Sequence, residues 1–515
     1  MHKYKEKIIY GSYFVLVFGF LLVVFLKIHP LVIFNADDWL YSSYDRIGTP
    51  LWGEWNPCRV LPENMMSWVT YVCAFVLMPL FDIGFMDATI IGYGVWYSIC
   101  IMVYFVLFVM FLKKKKQLPL FLVISISLIF FIIHFMVYLR HINDGGLNQH
   151  MFMALYTTCI FYYAIPNLWN AGLVFYLLTF DVNKIFKERR YVRIGILLLM
   201  VYLAVFSDLF QTIILISFMS YGILICLIEQ IRKYKKEIGK IICETIRDTL
   251  FYCLSIVMWL VSLIFEINGG RSNMLGGGQV QITATLKSSI ETFFSFYKNS
   301  LSKMFIISFV GVFIVAVVIF LVKRKKQTVA DKSCLKYIWC FTYCLIICSI
   351  FEILIGAKIY VGYLNRADVM FGCTLYMILI FVVLLVYVLQ NVRIFSAFVP
   401  LYIYVIVSFS IFFSHSFMIN SSSWIPYQTC KEIGESIIEQ ITQADEQALK
   451  EVTVHVPNFG EDINNYPLNT APYEYKTFSF GYIVSDALYK YDIIHRPIVV
   501  KIQPDNDMNH KFHMD

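Results

Sequence analysis

Long apolar runs, most of them without a charged residue, recur along almost the whole chain. "IIYGSYFVLVFGFLLVVFL" covers residues 8–26, and "FVGVFIVAVVIFLV" covers residues 309–322. A helix of about 20 apolar residues spans the hydrocarbon core of a bilayer. Of the 515 residues, 59% are hydrophobic and 15% are charged, against about 45–50% and about 25% in soluble domains. One soluble core cannot bury so many runs, so the sequence predicts an all-α polytopic membrane protein.

The first apolar run follows the basic segment "MHKYKEK" and is too long for the core of a signal peptide. We therefore expect an uncleaved first span with a cytoplasmic N-terminus, because basic flanks stay in the cytoplasm. Twelve further spans are predicted at 65–81, 88–112, 118–139, 147–162, 165–181, 192–206, 208–229, 248–265, 303–323, 335–356, 370–390 and 394–415. The basic segments 181–193, 229–240 and 323–327 are predicted cytoplasmic loops.

The run "KKKK" at residues 113–116 conflicts with thirteen spans, because that count places it outside the cell. If 65–81 and 147–162 are re-entrant or interfacial, the count falls to eleven and the lysines return to the cytoplasm. The sequence leaves both counts open. Both counts are odd, so each places the C-terminal tail and the first outer loop, residues 28–64, on the extracytoplasmic side.

The chain after residue 415 differs in composition. Residues 416–515 hold 7 Lys+Arg and 14 Asp+Glu, whereas residues 1–415 hold 35 bases and 21 acids. Helical spacing covers 430–450 and 480–491, and alternation typical of strands covers 451–456 and 496–502. We therefore predict two domains: a transmembrane domain, 1–415, and a small extracytoplasmic α/β cap domain, 416–515.

The first outer loop contains "NADDWLYSSYDRIGTPLWGEWNPCRVLPEN", residues 35–64, with an acidic pair directly after the first span. Predicted helix ends at this membrane face bring further charges into the same layer. The acids are Asp37, Asp38, Asp45, Glu54, Glu63, Asp208, Glu266, Glu352 and Asp368, and the bases are Arg46, Arg59, Arg271, Lys358 and Arg366. The predicted bilayer centre is nearly free of charge, which argues against ion-coupled transport.

Carboxylates beside arginines suit transfer of a group from a lipid-linked phosphate. A carboxylate can take a proton from the acceptor hydroxyl as general base, and cationic side chains can stabilise the leaving phosphate. Trp39 and Trp55 can stack on sugar rings. The simpler alternative is that these tryptophans, with Trp52, form an interfacial belt, and that Asp37 and Asp38 cap a helix.

The acidic pair in "NADDWLY" (35–41), followed by "RVLPE" (59–63), resembles the GT-C superfamily of polytopic glycosyltransferases. Further segments resemble bacterial members, including O-antigen glucosyltransferase-like proteins and uncharacterised membrane proteins. They are "YYAIPNLWN" (162–170) at an expected helix break, "VFSDLFQ" (205–211), "EINGGRSNM" (266–274) and "YLNRADVMFG" (363–372). The bacterial "PGN" before the arginine is "NGG" (268–270) here. The resemblance covers most of residues 1–415.

The resemblance implies an inverting sugar transfer from a polyprenyl-phosphate donor to a glycan or lipid-glycan acceptor at the extracytoplasmic face of a bacterial plasma membrane. It implies Asp37 or Asp38 as the base, Asp37 first, and Asp208 as a second acidic group. The implied donor-phosphate ligands are Arg59, Arg271, Arg366 and Lys358, although Lys358 can instead extend to the headgroups. No metal is required, but two adjacent acids are compatible with a divalent ion. No nucleic-acid partner is expected.

Two other functions fit the same residues. A lipid-linked glycan flippase or an envelope scaffold would use the basic surfaces without a carboxylate base, and the tail could sense a soluble ligand. Cysteines add little, because most lie in predicted spans without metal-ligand spacing. Only Cys58 and Cys430 fall on the outer side, where a disulfide between them is a weakly supported alternative.

Overall fold

The computed structural model describes residues 2–44, 57–116, 118–138, 157–182, 185, 188, 190–235, 237–268, 282–323, 329–412, 425–458 and 479–514. The first domain contains α1 (His2–Val23), α2 (Ala36–Ser43), α3 (Val60–Glu63), α4 (Met65–Val72), α5 (Met78–Phe81), α6 (Phe85–Lys116), α7 (Leu120–Met136), α8 (Thr157–Cys159), α9 (Ile165–Thr179), α10 (Tyr191–Val205), α11 (Leu209–Tyr234), α12 (Ile238–Asp248), α13 (Leu250–Asn268), α14 (Ile282–Ser300), α15 (Lys303–Val322), α16 (Val329–Lys358), α17 (Phe371–Asn391) and α18 (Arg393–Phe412). π-helical turns continue α1 over Val24–Ile28, join α4 to α5 over Cys73–Leu77 and join α8 to α9 over Ile160–Ala164.

The polytopic, all-helical character of this domain is confirmed. Six helices within the described ranges are long and apolar enough to cross a membrane, and the bent pair α12–α13 would add a seventh. Four shorter apolar helices, Met65–Phe81, Leu120–His134, Tyr191–Val205 and Ser396–Ser408, lie among them. The helices pack lengthwise, and a core of apolar side chains runs through the bundle.

Two ends of the bundle can be defined from contacts between α1 and α6, which run antiparallel. At the basic end, Lys113 pairs with Glu6 at 3.7 Å. Near the opposite end, the rings of Phe25 and Tyr97 lie 4.9 Å apart. We call this opposite end the cap end, because the C-terminal domain docks there. "KKKK" therefore lies at the same end as the N-terminus, as the count of eleven spans requires.

The segment Met65–Phe81 begins and ends at the cap end. Its N-terminal helix, α4, packs on α2, and its C-terminus leads through a three-residue turn into the start of α6. Thr70 in its middle hydrogen-bonds Tyr93, in the third turn of α6, with an O–O distance of 2.5 Å. This geometry matches the re-entrant or interfacial alternative for this segment.

The prediction of separate spans at 147–162 and 165–181 is wrong for the described part. Residues 157–179 form one continuous helix, because a π-helical turn precedes Pro166 and Pro166 lies in the first turn of α9. Inside this continuous helix the π-helical turn adjusts the hydrogen bonds just before the proline, because the Ile165 amide donates to the Ile160 carbonyl, and such local adjustments let membrane helices tolerate proline. Residues 147–156 lie outside the described residues.

Two amphipathic helices were not predicted as separate elements. In α12, Ile238, Ile242 and Ile246 are exposed along one face, and the axis turns by 85° into α13. Helix α14 packs across the cap-end terminus of α16, where the Ser289 hydroxyl donates to the Ile353 carbonyl at 2.7 Å. Because charged residues interrupt their apolar positions, these two helices do not match the uninterrupted apolar pattern by which spans are predicted.

The C-terminal domain contains α19 (Tyr427–Glu446), β1 (Glu451–Pro457), α20 (Phe480–Lys490), β2 (Val499–Asp505) and α21 (Asn506–Lys511). The strands are parallel, with Glu451 opposite Val499. All four predicted elements are present, although β2 begins three residues later than expected. A Cβ on Gly481 would lie 2.1 Å from the Val500 carbonyl oxygen, so α20 packs directly on the backbone of β2. The predicted boundary at 415/416 lies outside the described residues.

The domain docks on the cap end through polar and aromatic contacts. Lys431 pairs with Asp87 at 2.7 Å, and a Cβ on Gly434 would meet the flexible end of Met86 at 2.6 Å. The Tyr491 hydroxyl donates to the Ser42 carbonyl in α2. The tail and the helix that carries the acidic pair therefore share one face of the molecule.

Inside the tail, one buried carboxylate joins α19 to the loop before β2. Asp445 accepts hydrogen bonds from the His495 amide at 2.9 Å and from Arg496 Nε at 3.0 Å. The first of these, with other bonds from His495 and Arg496, lowers the pKa of Asp445 to about 2. The ionised side chain therefore stabilises the folded tail.

Candidate functional site

Three sequence-predicted segments meet at the start of the helix 157–179. The Thr158 amide and hydroxyl each donate to Asp38 Oδ1 at 2.7 Å. Arg366 Nη2 lies 3.3 Å from the Cys159 sulfur. The Tyr162 hydroxyl donates to the Glu63 carbonyl at 2.8 Å. We call residues 157–163 the hub. It overlaps the π-helical turn Ile160–Ala164, and such turns are frequent at functional sites.

Helix α2 begins at Asn35 because the local sequence forms a capping box. Asn35 Oδ1 accepts from the Asp38 amide at 2.9 Å, while Asp38 Oδ2 accepts from the Asn35 amide at 3.4 Å. Asp38 Oδ2 also accepts from the Phe34 amide at 3.3 Å. The capping alternative is therefore correct for Asp38, and Asn35 is the residue at the N-cap position.

Asp38 is 2% exposed, so its carboxyl is almost fully desolvated. Burial raises its pKa to about 6, although the donors from Thr158 and from the amides before α2 oppose this shift. Both carboxylate oxygens of Asp38 already accept hydrogen bonds from the protein itself. We infer that Asp38 positions α2 against the hub.

Asp37 lies beside Asp38 in the first turn of α2 but is exposed. Adjacent helical residues point about 100° apart, so the two carboxylates serve different surroundings. Asp37 is therefore the member of the pair that a soluble hydroxyl can approach. Asp37 therefore remains the first candidate base and Asp38 the second.

Arg366 is held in a bidentate ion pair and lies against an aromatic ring. Its Nε lies 3.1 Å from Asp368 Oδ1 and its Nη2 lies 2.6 Å from Asp368 Oδ2. Its guanidinium carbon is 4.4 Å from the centre of the Tyr163 ring. These contacts use Nε and Nη2, and the side chain remains 20% exposed. Nη1 is thus the donor that Arg366 can offer to an anion.

The loop that carries this pair is fixed by amides from two helices. Asn167 Nδ2 donates to the Asp368 carbonyl at 2.7 Å, and Gln211 Nε2 donates to the same oxygen at 3.3 Å. Asn167 belongs to "YYAIPNLWN" and Gln211 to "VFSDLFQ", two segments selected for their family resemblance. Asn167 and Gln211 therefore affect the candidate site by fixing the position of Asp368.

Arg59 does not have the surroundings of a phosphate ligand. Its guanidinium is 7% exposed and lies 2.8 Å from Glu63, 3.0 Å from Glu266 and 3.9 Å from Asp208. These carboxylates raise the pKa of Arg59 against the opposing effect of burial. The predicted role for Arg59 is corrected: it is the central cation of an acidic cluster that joins α3, α11 and α13.

Asp208 belongs to this cluster and also caps α11, because its Oδ1 accepts from the Phe210 amide at 3.1 Å. Lys358 is exposed at the end of α16, as expected of a side chain that extends to the headgroups. Trp39 has no exposed surface and stacks on Phe85 at 6.1 Å, so its predicted contact with a sugar is excluded in this conformation.

Several predicted site residues lie outside the described residues, namely Arg271, Trp55, Trp52, Asp45, Arg46 and Glu54. Cys58 and Cys430 do not form a disulfide, so the disulfide alternative is not supported. Among the residues that the structure describes, no group of three His, Cys, Asp or Glu side chains is placed to hold a metal ion. Glu352 is completely buried within the bundle, where the Cys373 thiol donates to it at 3.1 Å.

The described charges around the hub are unequal, with six carboxylates and two arginines. Of the two described arginines at the hub, Arg366 is the one that an anionic ligand can approach, because its guanidinium is still partly exposed. The hub makes its contacts with the candidate residues through Thr158, Cys159 and Tyr163. The sequence around Thr158 and Cys159 contains no motif that would have identified these two as site residues. Comparison with protein-family models, with curated proteins and with solved structures finds no match to this chain.

Proposed function

We propose that the protein is a membrane-embedded glycosyltransferase that moves a sugar from a polyprenyl-phosphate-linked donor to a cell-envelope glycan acceptor. The observation that carries this proposal is the meeting of Asp38, the neighbour of the candidate base Asp37, and Arg366 at successive residues of the hub. The helix that carries the candidate base and an anion-binding group are thereby held at one turn at one end of the bundle. Such pre-positioning is what acid–base and electrostatic catalysis require.

In this proposal the oxygen of an acceptor hydroxyl attacks the anomeric carbon of the donor sugar. The bond from that carbon to the phosphate oxygen breaks, and polyprenyl phosphate leaves. Asp37 takes the hydroxyl proton, Asp38 holds α2 in place, and Arg366 Nη1 donates to the leaving phosphate. Asp368 orients the guanidinium for that contact.

The proposed orientation places the basic end in the cytoplasm and the cap end outside it. The basic end carries Lys113–Lys116, and the last turn of α11 adds Arg232 and Lys233, which the positive-inside rule assigns to the cytoplasm. We infer eleven crossings, namely α1, α6, α7, α8–α9, α10, α11, α13, α15, α16, α17 and α18. With an odd number of crossings, the tail lies opposite the N-terminus.

Thiol labelling in intact cells tests this orientation. Cys243 is exposed on α12 at the basic end, and Val499 is 58% exposed in the tail. A membrane-impermeant reagent should label Val499→Cys in intact cells but Cys243 only after permeabilisation. Labelling of the tail only after permeabilisation would contradict the assigned orientation.

Replacement of the proposed base tests the chemistry. Asp37→Asn keeps the shape of the side chain but removes the proton acceptor, so transfer should fall by about 10²–10⁴ with folding unchanged. The matched control is Asp486→Asn, an exposed aspartate in α20. Glycan transfer is measured in membranes of a deletion strain that contain equal amounts of each variant. A parental rate for Asp37→Asn would favour the flippase or scaffold alternative, neither of which needs a base.

Donor binding is tested at Arg366. Arg366→Lys can keep an ion pair with Asp368 but loses the second terminal nitrogen, so affinity for a polyprenyl-phosphate sugar should fall about tenfold or more. Lys358→Gln is the matched control, because Lys358 is an exposed base at the end of α16. Equal affinity in Arg366→Lys and the parent protein would place the phosphate elsewhere.

A further inference from the structure

A lateral groove lies on the basic half of the bundle, away from the hub. Helix α9 forms its floor, and α6 and α10, which both pack on α9, form its walls. Its volume is about 620 Å³, and Leu107, Leu173 and Ile196 belong to its mostly apolar lining. Val103 is 55% exposed and Met200 is 38% exposed along its edges, so the groove opens toward the surrounding bilayer.

The groove has the length of one membrane leaflet. It extends along α9 from Leu168 to Phe180, which corresponds to roughly 18 Å at about 1.5 Å per residue. One leaflet contributes about half of a hydrocarbon core that is about 30 Å thick. An acyl chain that enters at the basic end would therefore end near the bilayer centre.

The mouth of the groove carries polar and charged side chains. Arg190 and Arg193 line it, and Lys114 Nζ lies 4.0 Å from the centre of the Phe180 ring. Arg190 pairs with Glu188 at 2.6 Å, whereas Arg193 is exposed. With Asp181, the described residues at the mouth include three bases and two acids, so their net charge is positive.

We propose that this groove binds one acyl chain of an anionic glycerophospholipid from the leaflet at the basic end, with Arg193 at its phosphate. The length, the lateral opening and the positive mouth together match a lipid whose chain stops at the bilayer centre. A polyprenyl chain is much longer than the groove, so the donor proposed for the cap end fits it poorly. The lipid site does not depend on the proposed glycosyltransfer.

Gly172 provides a direct way to close the groove. It lines the floor, and an added Cβ would meet Leu107 at 3.5 Å, an ordinary contact. Gly172→Leu should therefore fill the groove without a backbone clash. Arg193→Gln should weaken binding of an anionic headgroup about fivefold, the typical effect of one basic side chain near such a charge. Arg247→Gln on α12 is the matched control, because Arg247 is a basic residue outside the groove.

Native mass spectrometry of the full-length protein measures bound phosphatidylglycerol, phosphatidylcholine and polyprenyl phosphate. In nanodiscs, a chain-brominated phosphatidylglycerol should quench Trp169, which lines the groove, and the difference between the parent and Trp169→Phe isolates this signal. We expect phosphatidylglycerol to bind in preference to phosphatidylcholine, to be lost in Gly172→Leu, to weaken in Arg193→Gln and to be unchanged in Arg247→Gln.

Equal binding of the two phospholipids would overturn the proposal, as would displacement of phosphatidylglycerol by polyprenyl phosphate. Full lipid binding by a folded Gly172→Leu variant would also overturn it. If Gly172→Leu does not fold, Trp169 quenching in Arg193→Gln decides, because this exposed arginine has no role in the packed core. Unchanged quenching there would refute the proposed headgroup contact.

Discussion

The bond between Thr158 and Asp38 should control how often the hub opens. Thr158→Val keeps the shape of the side chain but removes the hydroxyl that donates to Asp38 Oδ1 at 2.7 Å. A hydrogen bond to a charged group contributes about 1.5–3 kcal/mol. Local opening of the hub should therefore become roughly 10- to 150-fold more frequent.

Cys159 can report this opening because it follows Thr158 directly and is 5% exposed. The rate at which a thiol reagent modifies Cys159 is measured by mass spectrometry of its peptide. Thr157→Val is the near control: it removes a bond to the neutral Val32 carbonyl, so the rate should rise only about 2- to 12-fold. Thr179→Val, which changes a bond inside α9 far from the hub, should leave the rate unchanged.

The effect should also depend on pH. Burial raises the pKa of Asp38 from 3.8 to about 6, so this group costs stability as the pH rises from about 4 to 6. The Thr158 hydroxyl offsets more of that cost when the carboxyl is ionised, because a hydrogen bond to a carboxylate is stronger than one to a neutral carboxyl. The ratio of variant to parent rates should therefore be larger at pH 8 than at pH 5. Equal rates in Thr158→Val and the parent at pH 8 would refute this reasoning.

Three further outcomes are expected. Arg59→Gln leaves three carboxylates around a lost cation, so it should cost about 3–5 kcal/mol of stability and lower the unfolding temperature. Arg59→Lys keeps a cation there and should lower the unfolding temperature less. An unchanged unfolding temperature in Arg59→Gln would contradict the acidic cluster. The pKa of Asp445 lies at about 2, so the stability that it contributes to the tail is present above about pH 4 and is lost as the pH falls toward 2. In proteolysis at acid pH, the parent tail should be released progressively over this range. The tail of Asp445→Asn should be released already at pH 4. Gly481→Ala forces Cβ against the Val500 carbonyl and should make the tail protease-sensitive at neutral pH, whereas Gly434→Ala, which meets only a flexible side chain, should be tolerated better.

Much of the helical content follows from apolar runs, because membrane burial leaves few other ways to satisfy the backbone. The failures have local physical causes. Pro166 indicates a helix break in the sequence, yet the π-helical turn before it keeps residues 157–179 continuous. Helix α14 contains Lys287 and Glu291, so its composition does not resemble a span, although it packs firmly at the cap end.

The candidate site was only partly predictable for a different reason. Asn35, followed three residues later by an acid, is a local capping pattern, and a cap at this helix was among the predicted alternatives. The hub contacts instead join residues 120 and 207 positions apart, and no local pattern specifies such pairings. Arg59 illustrates the same limit, because its sequence motif does not reveal Glu266, which lies 207 positions away.

The order of the chain imposes a schedule on biogenesis. Thr158 follows Asp38 by 120 positions, a delay of about 6–24 s at roughly 5–20 residues per second. Tyr491 follows Ser42 by 449 positions, which corresponds to about 20–90 s at the same rate. The hub can therefore anchor α2 well before the tail residues that cover this helix are synthesised. A nascent chain therefore spends most of its synthesis time before the tail can cover this helix.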